Sequence, residues 1–325
     1  MKSKKNLVYI FRLISKFFIA FQLFSYASAK ILKTQFNIGV SDLDENISTF
    51  NGFELTWFYY GYSRIYGLII ASVQIAAALL LLFRKTERMG IVLFLSFMVN
   101  ILLVDIFYKI DGAIGMAGLL TTLGVFLLLS DWKGFTSYFL KKDSPIELNP
   151  STLQNRFKKY YWIKFIIIPI MAITAYTTIY SLREKYMVKS DLYGFWRNAS
   201  GHRSYKIHKI FIDYNNRLKV KDFDRNVYYG SFAIDTDHHT ITLNAQHYGD
   251  EAYYFIQDSI QKLATDISDE EIKKNIRNYY NKLNNSLPFQ NLLFEYELIG
   301  DTLYLKSNTQ KTIKFVEVSK DYIKA

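Results

Sequence analysis

Five apolar runs, residues 7–29, 65–83, 89–108, 113–129 and 161–180, crowd the first 180 positions of the chain. A helix rising about 1.5 Å per residue needs roughly 20 apolar residues to cross the roughly 30 Å hydrocarbon core of a bilayer. Each run is about that long. A helix also satisfies its own backbone hydrogen bonds, which an extended segment in lipid cannot do. The pattern therefore predicts five transmembrane helices.

The basic residues between these runs fall on alternate sides of an imagined bilayer. Lys2, Lys4, Lys5, Arg12 and Lys16 precede or open the first run, Arg84, Lys85 and Arg88 join the second to the third, and Lys133, Lys141, Lys142, Arg156, Lys158, Lys159 and Lys164 lie between the fourth and fifth. The opposite side has only Lys30, Lys33, Arg64 and Lys109, diluted by Asp42, Asp44, Glu45, Glu54 and Asp111. Positive charge is retained in the cytoplasm, so the N-terminus is expected there and the chain beyond residue 180 outside it. Trp132, Tyr160, Tyr161 and Trp162 would mark the inner interface, and Trp57, Tyr59, Tyr60, Tyr176 and Tyr180 the outer one. The expected location is a bacterial inner membrane, with a periplasmic C-terminal domain.

Most of the net charge of +11 lies in the membrane half, so it argues for membrane orientation and against nucleic acid as a partner. The chain has no cysteine, which excludes thiol-disulfide exchange and leaves the exported domain to be held by its core alone. The first run imitates a cleavable signal peptide, ending in Ala27-Ser28-Ala29. Arg12 and Lys16 interrupt it, and we read it as a retained helix.

Polar residues at membrane depth are expensive unless paired. Gln74 and Asn100 both fall near the middle of their helices and can form a hydrogen-bonded pair. Asp105 lies nearer the outer surface, within reach of Lys109 one turn on or of Arg64. Gln74, Asn100, Asp105 and Arg64 are therefore the candidate intramembrane polar site, read either as a proton or ligand site or as a structural clamp. All five histidines follow residue 200, so bis-histidine haem ligation within the bundle is excluded, and no paired Glu with Glu-x-x-His pattern offers a di-iron centre. No cofactor is expected. Gly112, Ala113, Gly115, Ala117, Gly118 and Gly124 of the fourth run predict close helix packing.

Residues 58–64 (FYYGYSR), 79–88 (LLLLFRKTER), 100–108 (NILLVDIFY) and 127–132 (LLLSDW) resemble the DoxX-like family of small bacterial four-helix membrane proteins. With the first run the resemblance covers roughly residues 1–135. It implies a four-helix core and no catalytic motif, and Asp105 stands where similar sequences more often carry Asn. The family name also implies association with a quinol oxidase.

Beyond residue 180 the period changes. Strands are expected at 195–197, 206–212, 216–221, 227–235, 240–245, 292–299, 302–307 and 312–318; Phe294, Tyr296 and Leu298, for example, alternate with Glu295 and Glu297. Asn215-Asn216 and Gly300-Asp301 read as hairpin turns. Eight successive antiparallel strands suit a small up-and-down barrel or a strongly curled sheet. Tyr193-Gly194-Phe195-Trp196 resembles the Gly-x-Trp opening of lipocalin-like barrels, which implies a Trp plugging one end. Helical spacing between residues 250 and 286, with a Ser268/Glu271 capping box, predicts a helical insertion. Asp237, His238 and His247, with Asp235 and His239 nearby, are weak metal candidates; adjacent extended residues point to opposite faces, so 235–240 is read as a hairpin tip and no metal is expected. No nucleophile elbow, P-loop, zinc-protease or Rossmann pattern occurs.

The expected architecture is an all-α transmembrane bundle at 1–135, a basic cytoplasmic linker at 136–160, a fifth span at 161–182 and a mainly β, lipocalin-like barrel at 183–325. The expected function is that of a non-catalytic accessory or small-ligand-binding component. Its partners would be the lipid bilayer and a membrane protein or lipophilic small molecule. The alternative is a subunit of a quinone-linked respiratory oxidoreductase whose cofactor is held by a partner.

Overall fold

The computed structural model of the chain describes residues 2–45, 47, 50–140, 162–200, 206–248, 289–308 and 311–318. The expected insertion at 250–286 and most of the linker at 136–160 lie outside the described residues. Two compact units emerge: residues 1–37 with 50–185, and residues 38–49 with 186–325.

Among its described residues the first unit has seven α-helices: α1 (Lys2–Ile31), α2 (Gly52–Gly61), α3 (Arg64–Leu82), α4 (Glu87–Phe107), α5 (Asp111–Ser130), α6 (Trp132–Leu140) and α7 (Lys164–Tyr186). Five of them, α1, α3, α4, α5 and α7, are long and apolar enough to cross a membrane. Short α2 was not foreseen. Its Asn51 side chain accepts from the Glu54 amide while Glu54 accepts from the Asn51 amide, a reciprocal cap that starts a helix where hydropathy gives no signal. Ser63 then caps α3 through the Tyr66 amide.

One cluster fills the bundle, with Ile19 and Leu23 from α1, Ala77 and Leu81 from α3, Phe94 and Met98 from α4, Leu120 and Leu127 from α5, and Ile168 and Ala175 from α7. Close approach depends on two glycines. A Cβ on Gly90 would lie 2.5 Å from the Leu81 amide nitrogen, and one on Gly124 would lie 2.7 Å from Leu95 and Phe94. Gly112, Gly115 and Gly118, expected to serve the same purpose, have open space where a Cβ would go. The small face of α5 that packs is the Ala117 and Gly124 face, one heptad apart.

The second unit is a closed antiparallel barrel in which each strand pairs with the next and β1 pairs with β8. The strands are β1 (Gly194–Asn198), β2 (Ile207–Ile212), β3 (Arg217–Asp222), β4 (Val227–Asp235), β5 (Thr240–Tyr248), β6 (Leu292–Ile299), β7 (Thr302–Ser307) and β8 (Thr312–Glu317). Asn215 and Asn216 both have positive φ at the β2–β3 turn, and Gly300 has φ +58 at the β6–β7 turn, as turn composition predicts. The alternating residues Ile210, Ile212, Leu218, Val220, Ile241, Leu243, Phe294, Leu303, Leu305, Ile313 and Phe315 fill the interior. Trp196 is buried among them and its indole N–H donates to the Leu192 carbonyl at 2.8 Å. A bulge at Tyr229/Gly230 lets β4 approach β5 so closely that a Cβ on Gly230 would fall 2.0 Å from the Asn244 carbonyl oxygen.

Candidate functional site

The four intramembrane candidates divide into two pairs. Gln74 and Asp105 are buried, whereas Asn100 and Arg64 are exposed on the outer faces of α4 and α3. Gln74 Oε1 and Asp105 Oδ2 have no hydrogen-bond partner among the described residues. Neither Arg64 nor Lys109 forms an ion pair with Asp105. Arg64 is the exposed first residue of α3, and Lys109 lies past the end of α4 in the left-handed conformation, with φ +55. Tyr60 belongs to an aromatic cluster with Tyr59 and Tyr66. Around them Phe36 stacks on Tyr60 with ring centroids 4.9 Å apart, and buried Lys30 donates to Gln35 at 2.8 Å and sits 5.3 Å from the Phe36 ring. Depth along the sequence did not give the side of the helix on which each polar residue lies.

At the other end of the bundle, Arg12 and Lys16 are engaged rather than intrusive. Arg12 bonds the Glu87 carboxylate, the Ser130 hydroxyl and, at 3.0 Å, the Leu127 carbonyl, while Lys16 meets Glu87 at 2.8 Å. The N-terminus of α4 and the C-terminus of α5 are thus both held by α1. Beside this cluster Arg88 pairs with Asp131 at 2.9 Å.

The second unit contains a site that sequence reasoning missed. Residues 38–45, from the connection between α1 and α2, fold as a strap on the outside of β1, β2 and β3. Phe195 and Phe211 point outward there and stack at 4.4 Å, leaving an apolar patch on the water side of the barrel. Val40 and Leu43 of the strap cover it. Full burial of a valine side chain stabilises by about 1.5–3 kcal/mol.

Three lysines that alternate outward on β2 and β3 bind the strap's acidic residues. Lys209 Nζ lies 2.7 Å from Asp44 Oδ1 and Lys221 Nζ 2.9 Å from Asp44 Oδ2. Lys219, buried beneath the strap, donates to the Ser41 carbonyl and to Glu45. Ser41 Oγ in turn donates to buried Asp213 at 2.7 Å. Burial pushes the Lys219 ammonium below its ordinary pKa, against the pull of Glu45. Burial also acts to raise Asp44, but the hydrogen bonds and charges of Lys209 and Lys221 outweigh it and hold the carboxyl below its ordinary value. Burial raises Asp42, whose Oδ2 accepts from the Gly39 amide at 3.0 Å.

The weak metal candidates are not brought together. Asp235 accepts from the amides of Asp237 and His238 and sits 2.8 Å from His238 Nδ1, which closes a hairpin tip; the His238 hydrogen bond holds its carboxyl below the ordinary value. The His247 side chain lies outside the described residues. Among the described residues no three His, Asp or Glu side chains are grouped as a metal would require. The tip borders an open cleft of about 740 Å³ lined by Asp191, His238, His239, Glu295, Tyr296 and Glu297 among others.

A bundle of apolar helices consistent with a multi-pass membrane protein, joined to a closed eight-stranded barrel, defines the class of this chain. The chain is similar to the uncharacterised protein YwoB of Bacillus subtilis (strain 168), with 32% identity over 144 residues, 44% of this chain and 88% of that protein, and it belongs to that protein's family. No protein-family model and no solved structure matches it.

Proposed function

We propose that this chain is a DoxX-like, multi-pass inner-membrane protein that acts as a non-catalytic accessory or small-ligand-binding component. Its N-terminus is cytoplasmic and its barrel lies on the outer, periplasmic side. The strap carries this reading. Among the described residues, four helices long and apolar enough to cross a membrane, α3, α4, α5 and α7, lie between the strap and β1. An even number of crossings returns the chain to the side on which the strap lies, as its bonds to Lys209, Lys219 and Lys221 require. The excess of Lys and Arg in the alternate loops supports the orientation. The side chains filling the barrel favour an accessory role over a ligand held inside it.

Reporter fusions test the topology. An alkaline phosphatase fused after Ala325 should be active and one inserted between Arg84 and Arg88 inactive; the reverse result overturns the orientation. A stoichiometric haem, flavin or metal in the purified protein would count against the accessory role.

The second reading is a subunit of a quinone-linked respiratory complex whose cofactor is held by a partner. It draws on one observation, the buried Asp105 side chain with an oxygen left unbonded among the described residues. Co-purification with an oxidoreductase and loss of quinol turnover in Asp105→Ala are its expected outcomes; unchanged respiration on deletion of the whole chain removes it.

A further inference from the structure

Asn100 carries a polar group that the bundle does not satisfy. It is exposed on α4 within one turn of the helix's middle residue, Phe97, and its carboxamide makes no hydrogen bond among the described residues. We propose that this face of α4 is the contact surface of a homodimer, in which Asn100 hydrogen-bonds its counterpart in a second copy of the chain inside the membrane. This rests on the membrane reading of the helices; it does not depend on which face of the membrane is cytoplasmic.

The chemistry of the side chain is the first argument. Ser72, Ser96 and Thr122 also face outward from the spans, and each hydroxyl donates to a carbonyl of its own helix, at 2.9, 2.7 and 2.8 Å. A carboxamide has two N–H donors and an acceptor oxygen. The middle of a helix offers that oxygen no free amide, because every backbone N–H is spent on the carbonyl four residues earlier. Hydrocarbon offers it nothing either, so an unmatched Asn100 is costly to hold there.

The residues beside it form a seam. Ser96, Asn100, Leu103 and Phe107 are all exposed and follow one another by four, three and four residues. That is the spacing at which two helices pack side by side with a small left-handed crossing. Ser96, one turn from Asn100, is small enough to let two backbones approach.

Symmetry selects a second copy over a foreign helix. Two copies inserted in the same sense are related by a two-fold axis along the membrane normal, which sets α4 parallel to α4 and Asn100 opposite Asn100 at one depth. A carboxamide is its own complement, since the N–H of each can donate to the oxygen of the other. A foreign helix meets the requirement only by carrying a polar group at the same level; a second copy meets it automatically. A single Asn in a parallel seam fixes register and oligomer state in the same way.

The chain has no cysteine, so single introduced cysteines report the contact. Ser96→Cys, oxidised in native membranes with copper phenanthroline, should give a covalent species of twice the chain mass. Val73→Cys, exposed nine residues before the end of α3 as Ser96 lies nine after the start of α4, should stay monomeric. In reconstituted vesicles diluted with lipid, adding Asn100→Leu to Ser96→Cys should weaken dimerisation roughly tenfold, and Asn100→Gln, which keeps the carboxamide, should weaken it less. Thermal unfolding confirms that each variant is folded. Equal crosslinking at Val73→Cys, a crosslinked partner other than this chain, or undiminished dimerisation in folded Asn100→Leu overturns the proposal. A chain that resists alkaline extraction from membranes yet stays monomeric sinks this inference alone; a chain released by alkali sinks the membrane reading beneath it.

Discussion

The bundle is built around small residues and paired charges, with Ala77, Ala78, Gly90, Ala117 and Gly124 where helices touch and Arg12, Lys16 and Glu87 at one end. The barrel interior is built from Trp196, Phe232, Phe294, Phe315 and a set of branched aliphatics. Their surfaces differ in the opposite sense. Large exposed apolar side chains crowd α3, α4, α5 and α7, while the described barrel strands expose only Leu293, Leu298 and Ile299 of that kind. The contrast is what a bundle facing lipid and a barrel facing water would show. In lipid, apolar burial gives no net drive, so helices associate by close approach and polar contacts. In water the barrel gains from removing each apolar side chain from solvent.

The sharpest break of this contrast is Trp196→Ala, expected to destabilise the barrel by about 3–5 kcal/mol. Denaturant unfolding in detergent, followed by near-ultraviolet circular dichroism, should show the barrel transition at lower denaturant while membrane insertion is unchanged. A shift under 1 kcal/mol would mean the barrel is not held by its interior. Next in size is Glu87→Gln, which leaves Arg12 and Lys16 partly buried without a counter-ion. We expect a loss of about 2–3 kcal/mol in bundle stability, read as detergent-induced unfolding of the helices, with the barrel unaffected.

Asp44→Asn sharpens the comparison where the barrel borrows a polar contact of its own. Its expected effect is about 1 kcal/mol, measured as faster proteolysis of the strap. Because the folded Asp44 carboxyl lies below its ordinary value of 3.8, its stabilisation is complete above that value and is lost as pH falls through the lower one. The wild-type strap should therefore loosen in acid, and Asp44→Asn should reduce that acid sensitivity. The smallest effect belongs to the hairpin tip. His238→Ala should change barrel stability by no more than about 0.5 kcal/mol, and zinc should leave the melting temperature of both proteins unchanged.

Long-period signals made most of this fold legible. The five spans follow from runs of hydropathy, and the eight strands from alternation and turn residues, since side-chain direction in a strand is fixed by its period of two. The strap was illegible because its bonds join residues 165 to 178 positions apart, and nothing local distinguishes a carboxylate that meets a lysine from one that meets water. Asp42, Asp44 and Glu45 therefore read as counter-charges to an outer loop. The polar residues of the bundle were half legible. Position along each helix sets only an expected level for Gln74 and Asn100; the apolar residues around them are so uniform that no face stands out, and the two helices turn Gln74 inward and Asn100 outward.

The strap leaves the β-rich tail, taken alone, an unfinished object. A fragment beginning at Tyr186 would contain every strand of the barrel and yet lack the eight residues that shield Phe195, Phe211 and Lys219. Severed from the anchor, it would present a greasy, cationic scar to water, and should tend to clump until a synthetic peptide of residues 38–45 is supplied in trans.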